Sequence, residues 1–583
     1  MLQYTSQKES FFTRNEWFII LAFIIVGNIF ITIFMRYENA IYYWDLSNYW
    51  IKTLELKNLF TQGLAPSISA IMQSINVADY NYLGAVILMP FQYIFGFSRT
   101  AHIHGIFNMF VIPAAITLAY ITKLLVKKFY HNWKPAYLAI PIIATLARPL
   151  LLSPSLNGYV DAGGIIFTGA AVFLYFKYGL DGRISVYISM GILLGLAGLF
   201  RRWYYFWIVT FIVMLCIFEV LPVLYQYAKQ KIKNRRTILP PELIRRVRNY
   251  SITGISIAIL IGSVSYTVLK RVLLTNYRDI YTAYRPPLNI IFSNSIQFFG
   301  LLFLFFVILG AGILLFEKKT RKEAVFLILP IIIIFFWFSS IQSFGHHQFL
   351  LFALSMILLV TLGITRVLLF IKKTIIRRSI VILLIALFIT SIYFTYVPAS
   401  QKIRTPPVNA LSGTSNFPRI FEHKEEMTKI YYDLVYMTPE NETIYVLPSS
   451  YQMGDGILRN VGLPLINTQR MDKVLPAYGV DRLGFPNHFF RATYVVISIP
   501  EQYHLNKDEQ SIIHLLSESL LKNDSIGRHY EKLPKEYMLG DIKILVYKKM
   551  SAVTTEDVVE LSRILKNKYP NNENVYTIHE TGY

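Results

Sequence analysis

A single carboxylate lies among aromatic rings near the start of this chain, in the stretch Tyr42–Trp50. Asp45 is flanked there by five aromatic residues, including Trp44, Tyr49 and Trp50. The stretch directly follows an apolar run from Trp17 to Met35. Tyr and Trp are enriched where a membrane helix meets the headgroup layer, and an acid at that depth is a candidate functional group. Asp45 is therefore either a reactive group or a water-facing neighbour of an interfacial anchor.

A second acid, Asp161, stands at the end of a turn-rich loop that begins at Ser153. Pro, Asn and Gly in this loop are ordinary turn residues, so Asp161 is either a helix N-cap or a second reactive acid. Arg148 lies within the preceding apolar run. A cation at that depth is a functional candidate, and we predict Asp161 as its partner.

Several cations lie in the segments predicted to face outward. Arg201 and Arg202 are adjacent at the end of an apolar run, and guanidinium groups bind phosphate through paired hydrogen bonds. We therefore predict phosphate recognition there, ahead of snorkelling to lipid headgroups. Further phosphate- or sugar-binding candidates are Arg148, Arg285, His346 and His347. Adjacent histidines lack the i, i+4 spacing of a helical zinc site, so no metal ligands are assigned and a divalent metal stays possible.

The composition indicates a polytopic α-helical membrane protein. Of 583 residues, 54% are hydrophobic and 16% are charged, and the mean hydropathy is +0.43. About eleven apolar runs approach the length of a membrane span. They lie near residues 17–35, 101–126, 136–152, 163–178, 184–200, 204–224, 251–270, 291–316, 324–341, 349–371 and 379–396. The net charge of +22 is concentrated in clusters between these runs, as the positive-inside rule requires, so we predict no nucleic-acid partner.

The charge clusters also predict the topology. The run at 82–97 is short and contains Pro90, which is typical of an interfacial or re-entrant helix. If the run at 82–97 does not cross the membrane and the N-terminus is cytoplasmic, all the large Lys/Arg clusters face the cytoplasm. Residues 36–100 then form a long first external loop with interfacial helices. We accordingly predict a transmembrane domain at 1–399 and an extracytoplasmic domain at 400–583.

The last third of the chain has the pattern of a small α/β domain. Three β-branched and aromatic runs, Thr443–Leu447, Thr493–Ile499 and Ile542–Lys548, are predicted strands. Predicted helices lie at 422–436, 507–522 and 556–568, the second with Asn506 and Glu509 spaced as a capping box. Alternating strands and helices indicate an α/β fold.

Taken together, these features resemble the GT-C superfamily of membrane glycosyltransferases, which includes protein O-mannosyltransferases and the transferase that adds aminoarabinose to lipid A. The resemblance rests on Trp44-Asp45-Leu46, on the Asp161 loop, and on the Arg201-Arg202 and His346-His347 positions. It covers roughly residues 15–400 in architecture.

The resemblance implies a sugar donor linked to polyprenyl phosphate and used on the external side of the membrane. The single cysteine, Cys216, excludes an intrachain disulfide, and with the Ile-, Lys- and Asn-rich composition this indicates a bacterial plasma membrane. Asp45 would be the base that deprotonates an acceptor hydroxyl, and Asp161 would orient the acceptor, a basic neighbour or a metal. The outer cations would stabilise the departing lipid phosphate. Trp44, Tyr49 and Trp50 would stack on a sugar. The expected acceptor belongs to the cell envelope: a polysaccharide, a polymer like teichoic acid, a lipid or a protein.

Two other classes of function remain open. A flippase or transporter for a lipid-linked saccharide would share the apolar bundle, although inverted repeats, which would favour transport, are not detected. A surface polysaccharide polymerase or ligase would rely on a large late loop with arginines, and residues 271–290 supply Arg271, Arg278 and Arg285. The sequence has no Walker loop or dinucleotide-binding glycine loop in a convincing context, which argues against nucleotide-driven transport and against a nucleotide-sugar donor bound in a Rossmann domain.

Overall fold

The chain divides into two compact units. The computed structural model describes residues 12–77, 80–146, 150–233, 239–463, 472–477 and 479–578. The first unit, here the helical unit, contains the residues up to Tyr37 together with Tyr49–Thr275 and Pro286–Pro418. The second, the sheet unit, contains Glu38–Asn48, Asn276–Arg285 and the residues from Arg419 onward. The sequence division at 399/400 assigns the two short segments, 38–48 and 276–285, to the first domain.

The helical unit consists of α-helices joined by short loops. In chain order they are α1 (Arg14–Arg36), α2 (Asp45–Gln62), α3 (Leu64–Val77), α4 (Leu83–Phe95), α5 (Arg99–Ile106), α6 (Ile112–Tyr130), α7 (Ala139–Leu146), α8 (Leu152–Leu156), α9 (Ala162–Tyr178), α10 (Ile184–Phe200), α11 (Tyr204–Leu215), α12 (Leu221–Lys233) and α13 (Pro241–Leu274). After α14 (Tyr277–Ile280), which lies in the sheet unit, follow α15 (Leu288–Phe299), α16 (Leu301–Phe316), α17 (Arg321–Ser339), α18 (Leu350–Phe370), α19 (Thr374–Tyr396) and α20 (Pro406–Ser412). Helix α2 contributes its first residues, 45–48, to the sheet unit.

Helix length and composition confirm the membrane class. Within the described part of the chain, seven helical segments are long and apolar enough to cross a bilayer. They are 14–36, 99–130, 204–232, 241–272, 321–339, 350–370 and 374–396. Shorter apolar helices at 83–95, 135–146, 162–178 and 184–200 account for the run at 82–97 and for three of the predicted spans. The chain is thus a multi-pass membrane protein, while the orientation of its ends stays a prediction.

One predicted span is broken. The run at 291–316 forms α15 and α16, whose axes meet at 92°. Gly300 between them has φ +73°, a conformation that residues with a Cβ rarely adopt. A Cβ at Gly300 would lie 2.5 Å from the backbone nitrogen of Gly413. The run therefore forms a broken span or a re-entrant segment and not one straight helix, because a left-handed glycine and close backbone packing turn the chain there.

The sheet unit is built on a six-stranded mixed sheet. Its strands are β1 (Ile444–Val446), β2 (Val474–Leu475), β3 (Tyr494–Ile499), β4 (Tyr530–Lys532), β5 (Tyr537–Leu539) and β6 (Ile542–Lys549). The strand order is β2-β1-β3-β6-β4, with β5 also paired to β6. Strands β2, β1 and β3 are parallel, whereas β6 runs antiparallel to β3, β4 and β5. The three predicted strands correspond to β1, β3 and β6.

Helices cover both faces of this sheet. They are α21 (Lys424–Met437), α22 (Asp455–Asn460), α23 (Asn487–Arg491), α24 (Ser511–Lys522) and α25 (Thr555–Lys568). Alternate residues of β3 enter two different cores: Val495 packs toward α24 and α25, and Val496 packs toward α21 and α22. Successive side chains of a strand point to opposite faces, so a strand covered on both faces buries consecutive residues, as β3 does. The α/β prediction is confirmed.

The predicted capping box is wrong in detail. Asn506 accepts a hydrogen bond from the Asp508 backbone, at the start of a short 3₁₀ turn. The Glu509 carboxylate instead pairs with Arg482 at 2.9 Å. Helix α24 begins later, at Ser511, and Asp481 accepts the backbone N–H groups of Ser511 and Ile512 at 3.0 Å each. A distant acid caps the helix, which local sequence spacing could not reveal.

Candidate functional site

The Asp45 segment is fixed to the sheet unit by backbone hydrogen bonds. The Asn39 N–H donates to the Arg419 carbonyl at 2.9 Å, and the Phe421 N–H donates to the Asn39 carbonyl at 2.9 Å. The buried Asn460 amide donates to the Tyr42 carbonyl at 2.8 Å and to the Ser47 hydroxyl at 3.0 Å. These contacts hold residues 39–47 against the α/β fold.

Apolar packing strengthens this attachment. Ile41 and Tyr43 are buried in the same core as α21 and the inner residues of β1 and β3. Burial of a large apolar side chain contributes roughly 1.5–3 kcal/mol. The segment that carries Asp45 is therefore a structural part of the sheet unit.

Asp45 begins helix α2 and is half-buried. A carboxylate in the first helical turn is favoured by the helix dipole. The residue before it, Trp44, has φ +48°, a backbone conformation that is costly for an aromatic residue. Such strain persists only where the surroundings enforce it, and it is concentrated at functional sites.

Aromatic rings surround Trp44 within the sheet unit. Its ring centroid lies 4.7 Å from that of His504, 5.6 Å from that of Tyr451 and 5.2 Å from that of Tyr43. Tyr451 is 64% exposed, so part of this surface is open. We call Trp44, Tyr451 and His504 the aromatic platform.

The segment 276–285 adds a tyrosine close to Asp45. Burial, together with the nearby Tyr281, Asp45 and Tyr451, raises the pKa of Tyr284 to about 12. Its hydroxyl therefore stays protonated at neutral pH and can donate a hydrogen bond. Arg285 is the next residue and is half-buried. Of the predicted phosphate-binding cations, Arg285 belongs to the same unit as Asp45.

His504 is held by polar groups at the carboxyl ends of the parallel strands. Its Nδ1 lies 3.0 Å from the Ser449 hydroxyl and 3.2 Å from Nε2 of Gln510. Burial lowers the pKa of His504 below its ordinary value of 6.5. The ring is therefore neutral at pH 7 and its orientation beneath Trp44 is fixed.

Asp455 lies one residue before Gly456, whose backbone approaches Trp44. Burial raises the pKa of Asp455 above its ordinary value, although Arg459 lies 2.9 Å away. Asp455, Tyr284, Tyr451 and His504 were all missed by sequence reasoning, since they are distant from Asp45 along the chain. Only Tyr284, next to Arg285, lay beside a predicted site residue.

The second acid, Asp161, is in the helical unit and forms a buried ion pair. Its Oδ1 accepts a hydrogen bond from Nε of Arg201 at 2.8 Å, and the two side chains are 2% and 1% exposed. Nη1 of Arg201 donates to the Tyr49 hydroxyl at 3.3 Å, and its guanidinium carbon lies 4.6 Å from the Tyr80 ring centroid. The Tyr204 hydroxyl donates to the Asp161 carbonyl at 2.8 Å.

Two polar atoms of this pair have no partner. Oδ2 of Asp161 and Nη2 of Arg201 are buried without a hydrogen bond among the described residues. An unsatisfied buried polar atom costs about 1–3 kcal/mol. Gly164 permits the close packing, because a Cβ there would lie 2.0 Å from the Tyr204 ring.

The remaining predicted residues of the helical unit have separate surroundings. Asp161 pairs with Arg201, whereas the predicted partner Arg148 lies outside the described residues. Arg202 lies 4.2 Å from the Trp203 ring centroid. His347 is buried and stacks on Tyr159 at 4.6 Å, two residues before Asp161. His346 is exposed.

The predicted sugar-stacking residues separate into two kinds. Tyr49 is fully buried against Arg201, and Trp50 is buried with its indole N–H donating to the Phe97 carbonyl at 3.0 Å. Neither ring has a face open to a sugar in this structure, so stacking is retained only for Trp44. Among the described residues, no group of three or more His, Cys, Asp or Glu side chains could hold a metal ion, and we assign no metal ligands.

No protein-family model matches the chain, and no curated protein matches it. Among solved structures, the chain is similar to ArnT from Cupriavidus metallidurans bound to undecaprenyl phosphate, at 10% identity and a TM-score of 0.48 over 92% of this chain and 98% of that one. It is also similar to the oligosaccharyltransferase of Archaeoglobus fulgidus in the apo form, at 12% identity and a TM-score of 0.40 over 82% of this chain and 69% of that one.

Proposed function

We propose that this chain is an integral membrane glycosyltransferase that moves a sugar from a polyprenyl-phosphate-linked donor to an extracytoplasmic acceptor of the cell envelope. The observation that carries this proposal is Asp45, held half-buried beside a strained Trp44 and a partly open aromatic platform. Aromatic faces suit the apolar faces of sugar rings, and a half-buried carboxylate can accept a proton. The apolar helices suit a donor that is itself a membrane lipid.

In this proposal Asp45 acts as the general base. The acceptor hydroxyl loses its proton to the carboxylate as its oxygen forms a bond to the anomeric carbon of the sugar. The bond from that carbon to the phosphate oxygen breaks, and the lipid phosphate leaves as an anion. Arg285 would stabilise the charge that develops on this phosphate, and the neutral Tyr284 hydroxyl would donate a hydrogen bond.

Asp161 and Arg201 have a positioning role in this proposal. Their ion pair is closed to solvent, and Arg201 also donates to Tyr49 in helix α2. The unpartnered Oδ2 and Nη2 atoms are the points at which a polar substrate group or water would complete the network. The phosphate-binding roles of Arg201, Arg202, His346 and His347 remain part of the proposal.

The decisive experiment compares Asp45→Asn with the wild-type protein. Detergent-solubilised membranes are supplied with radiolabelled polyprenyl-linked sugars and with delipidated cell envelope. We expect transfer to fall by about 10²–10⁴-fold, the usual contribution of a positioned base. The matched control is Asp541→Asn, an exposed acid in the turn between β5 and β6.

Each alternative gives a different result. A flippase would move the donor from one leaflet of a vesicle membrane to the other. It would form no glycosylated product in detergent, where no bilayer separates two compartments. If wild-type protein yields no product, the glycosyltransferase proposal fails. If Asp45→Asn transfers sugar as well as wild type, the glycosyltransferase proposal is retained, but Asp45 is not the base.

A further inference from the structure

A large cavity opens at the opposite end of helix α9 from Asp161. Helix α9 begins beside Asp161 and ends at Tyr178, so its two ends are about 25 Å apart. The cavity measures about 1250 Å³ and lies where α6 and α9 end and where α10 and α17 begin. It is therefore separate from the Asp161–Arg201 pair.

One wall of this cavity is apolar and the other is charged. The apolar wall consists of Leu124, Phe176, Phe326 and the ring of Tyr175. The charged side chains are Lys128, Lys177, Asp181, Arg183, Glu219, Lys322 and Glu323. An amphiphile with an anionic head and a hydrocarbon tail matches this division.

Each acid of the cavity is already neutralised. Glu323 pairs with Lys128 at 2.9 Å, and Asp181 pairs with Arg245 at 2.7 Å. Glu219 is buried, binds Lys322, and lies 3.0 Å from Arg246. It is carried by a π-helical turn, Cys216–Val220, and such turns are frequent at functional sites.

Two cations remain without a carboxylate. Among the described residues, no acid lies within ion-pair distance of Lys177 or Arg183. The Lys177 ammonium instead lies 5.0 Å from the Tyr178 ring centroid and 5.6 Å from that of Phe173. Both cations line the cavity at the turn between α9 and α10. The cavity thus has two cations that are not paired with a carboxylate, and they face an apolar wall.

We propose that this cavity binds the phosphate headgroup of an anionic bilayer phospholipid. Lys177 and Arg183 donate to the phosphate, and an acyl chain lies along Phe176 and Phe326. The volume supports a lipid rather than a bare ion, because cavities of about 300–1,000 Å³ already hold drug-sized ligands. The two cations, which pair with no carboxylate of the described residues, supply the attraction for the phosphate.

The test uses the purified full-length protein in a zwitterionic detergent and native mass spectrometry. Phosphatidylglycerol and phosphatidylcholine with identical acyl chains are titrated separately, and inorganic phosphate is added as a competitor. We expect one phosphatidylglycerol to bind in preference to phosphatidylcholine. Lys177→Gln/Arg183→Gln should weaken this binding by about 30-fold, because each cation near the surface contributes a factor of about five toward an anionic lipid.

The control variant is Lys372→Gln/Lys373→Gln, which removes two exposed cations from the loop between α18 and α19. It should bind phosphatidylglycerol like wild type, and the charge-preserving Lys177→Arg/Arg183→Lys should keep most of the affinity. Equal binding of the two lipids, or equal losses in the two neutralised variants, would overturn the proposal. Displacement of the lipid by millimolar inorganic phosphate would assign the site to free phosphate and also refute the lipid occupant.

Discussion

The two acids singled out by the sequence occupy contrasting environments. Asp45, in the sheet unit, is half-buried beside rings that are partly open to solvent. Asp161, in the helical unit, is 2% exposed and its charge is matched by Arg201. A buried pair of this kind costs stability when one partner is removed, whereas a half-exposed acid can be changed at little cost. The contrast is consistent with the proposed roles, in which Asp45 is the base and Asp161 a positioning residue.

The largest expected effect comes from breaking the buried pair. Asp161→Asn leaves the Arg201 charge buried without a counter-charge, and we expect the free energy of unfolding to fall by about 3–5 kcal/mol. Asp45→Asn should change it by less than about 0.5 kcal/mol. Unfolding of the purified variants in detergent micelles measures both values.

The double variant Asp161→Asn/Arg201→Met sharpens this test. It removes both charges, so it should be more stable than Asp161→Asn alone. Equal stability of Asp161→Asn and Asp45→Asn would remove the distinction between the two acids.

A smaller effect is expected at the aromatic platform. Asn adopts positive φ more readily than Trp, so Trp44→Asn should fold as stably as wild type. It removes the stacking ring, and KM for the saccharide should rise about fivefold. Trp44→Phe keeps a ring and should show a smaller rise. Unchanged kinetics in Trp44→Asn would exclude sugar stacking at this position.

The smallest effect concerns pH. The pKa of His504 lies below its ordinary value of 6.5, so below pH 6.5 the unfolded chain binds more protons at this residue than the folded chain. The stability of the sheet unit should therefore fall as the pH drops below 6.5, by at most about 1.4 kcal/mol per pH unit for one proton. In His504→Gln this part of the pH dependence should vanish. A slope that is unchanged in His504→Gln would assign it to other groups.

Sequence reasoning succeeded where the signal is local. Apolar runs predict membrane helices because the bilayer demands length and hydrophobicity in one continuous stretch. Three of the six strands were also predicted from local sequence, because runs such as Tyr494–Ile499 are rich in β-branched residues and are buried. The break at Gly300 was missed, because its cause is packing against Gly413, more than a hundred residues away.

The candidate site was predicted only in part. Asp45 and Asp161 were identified from their places in the chain, but their neighbours come from distant segments. No local pattern indicates that Asn460 holds the Asp45 segment or that Tyr284 lies close to Asp45. Arg201 was predicted to bind a ligand phosphate, and its pairing with Asp161 depends on how the ends of α9 and α10 meet.

The attachment of residues 39–47 to the sheet unit has a consequence for biosynthesis. Asp45 is made early, but the groups that hold its segment, from Arg419 to Asn460, are made roughly 400 residues later. At about 5–20 residues per second, that interval is roughly 20–80 s. Asp45 cannot reach its final geometry until the chain has been synthesised as far as Asn460. A shorter nascent chain lacks the groups that hold residues 39–47 in the folded protein.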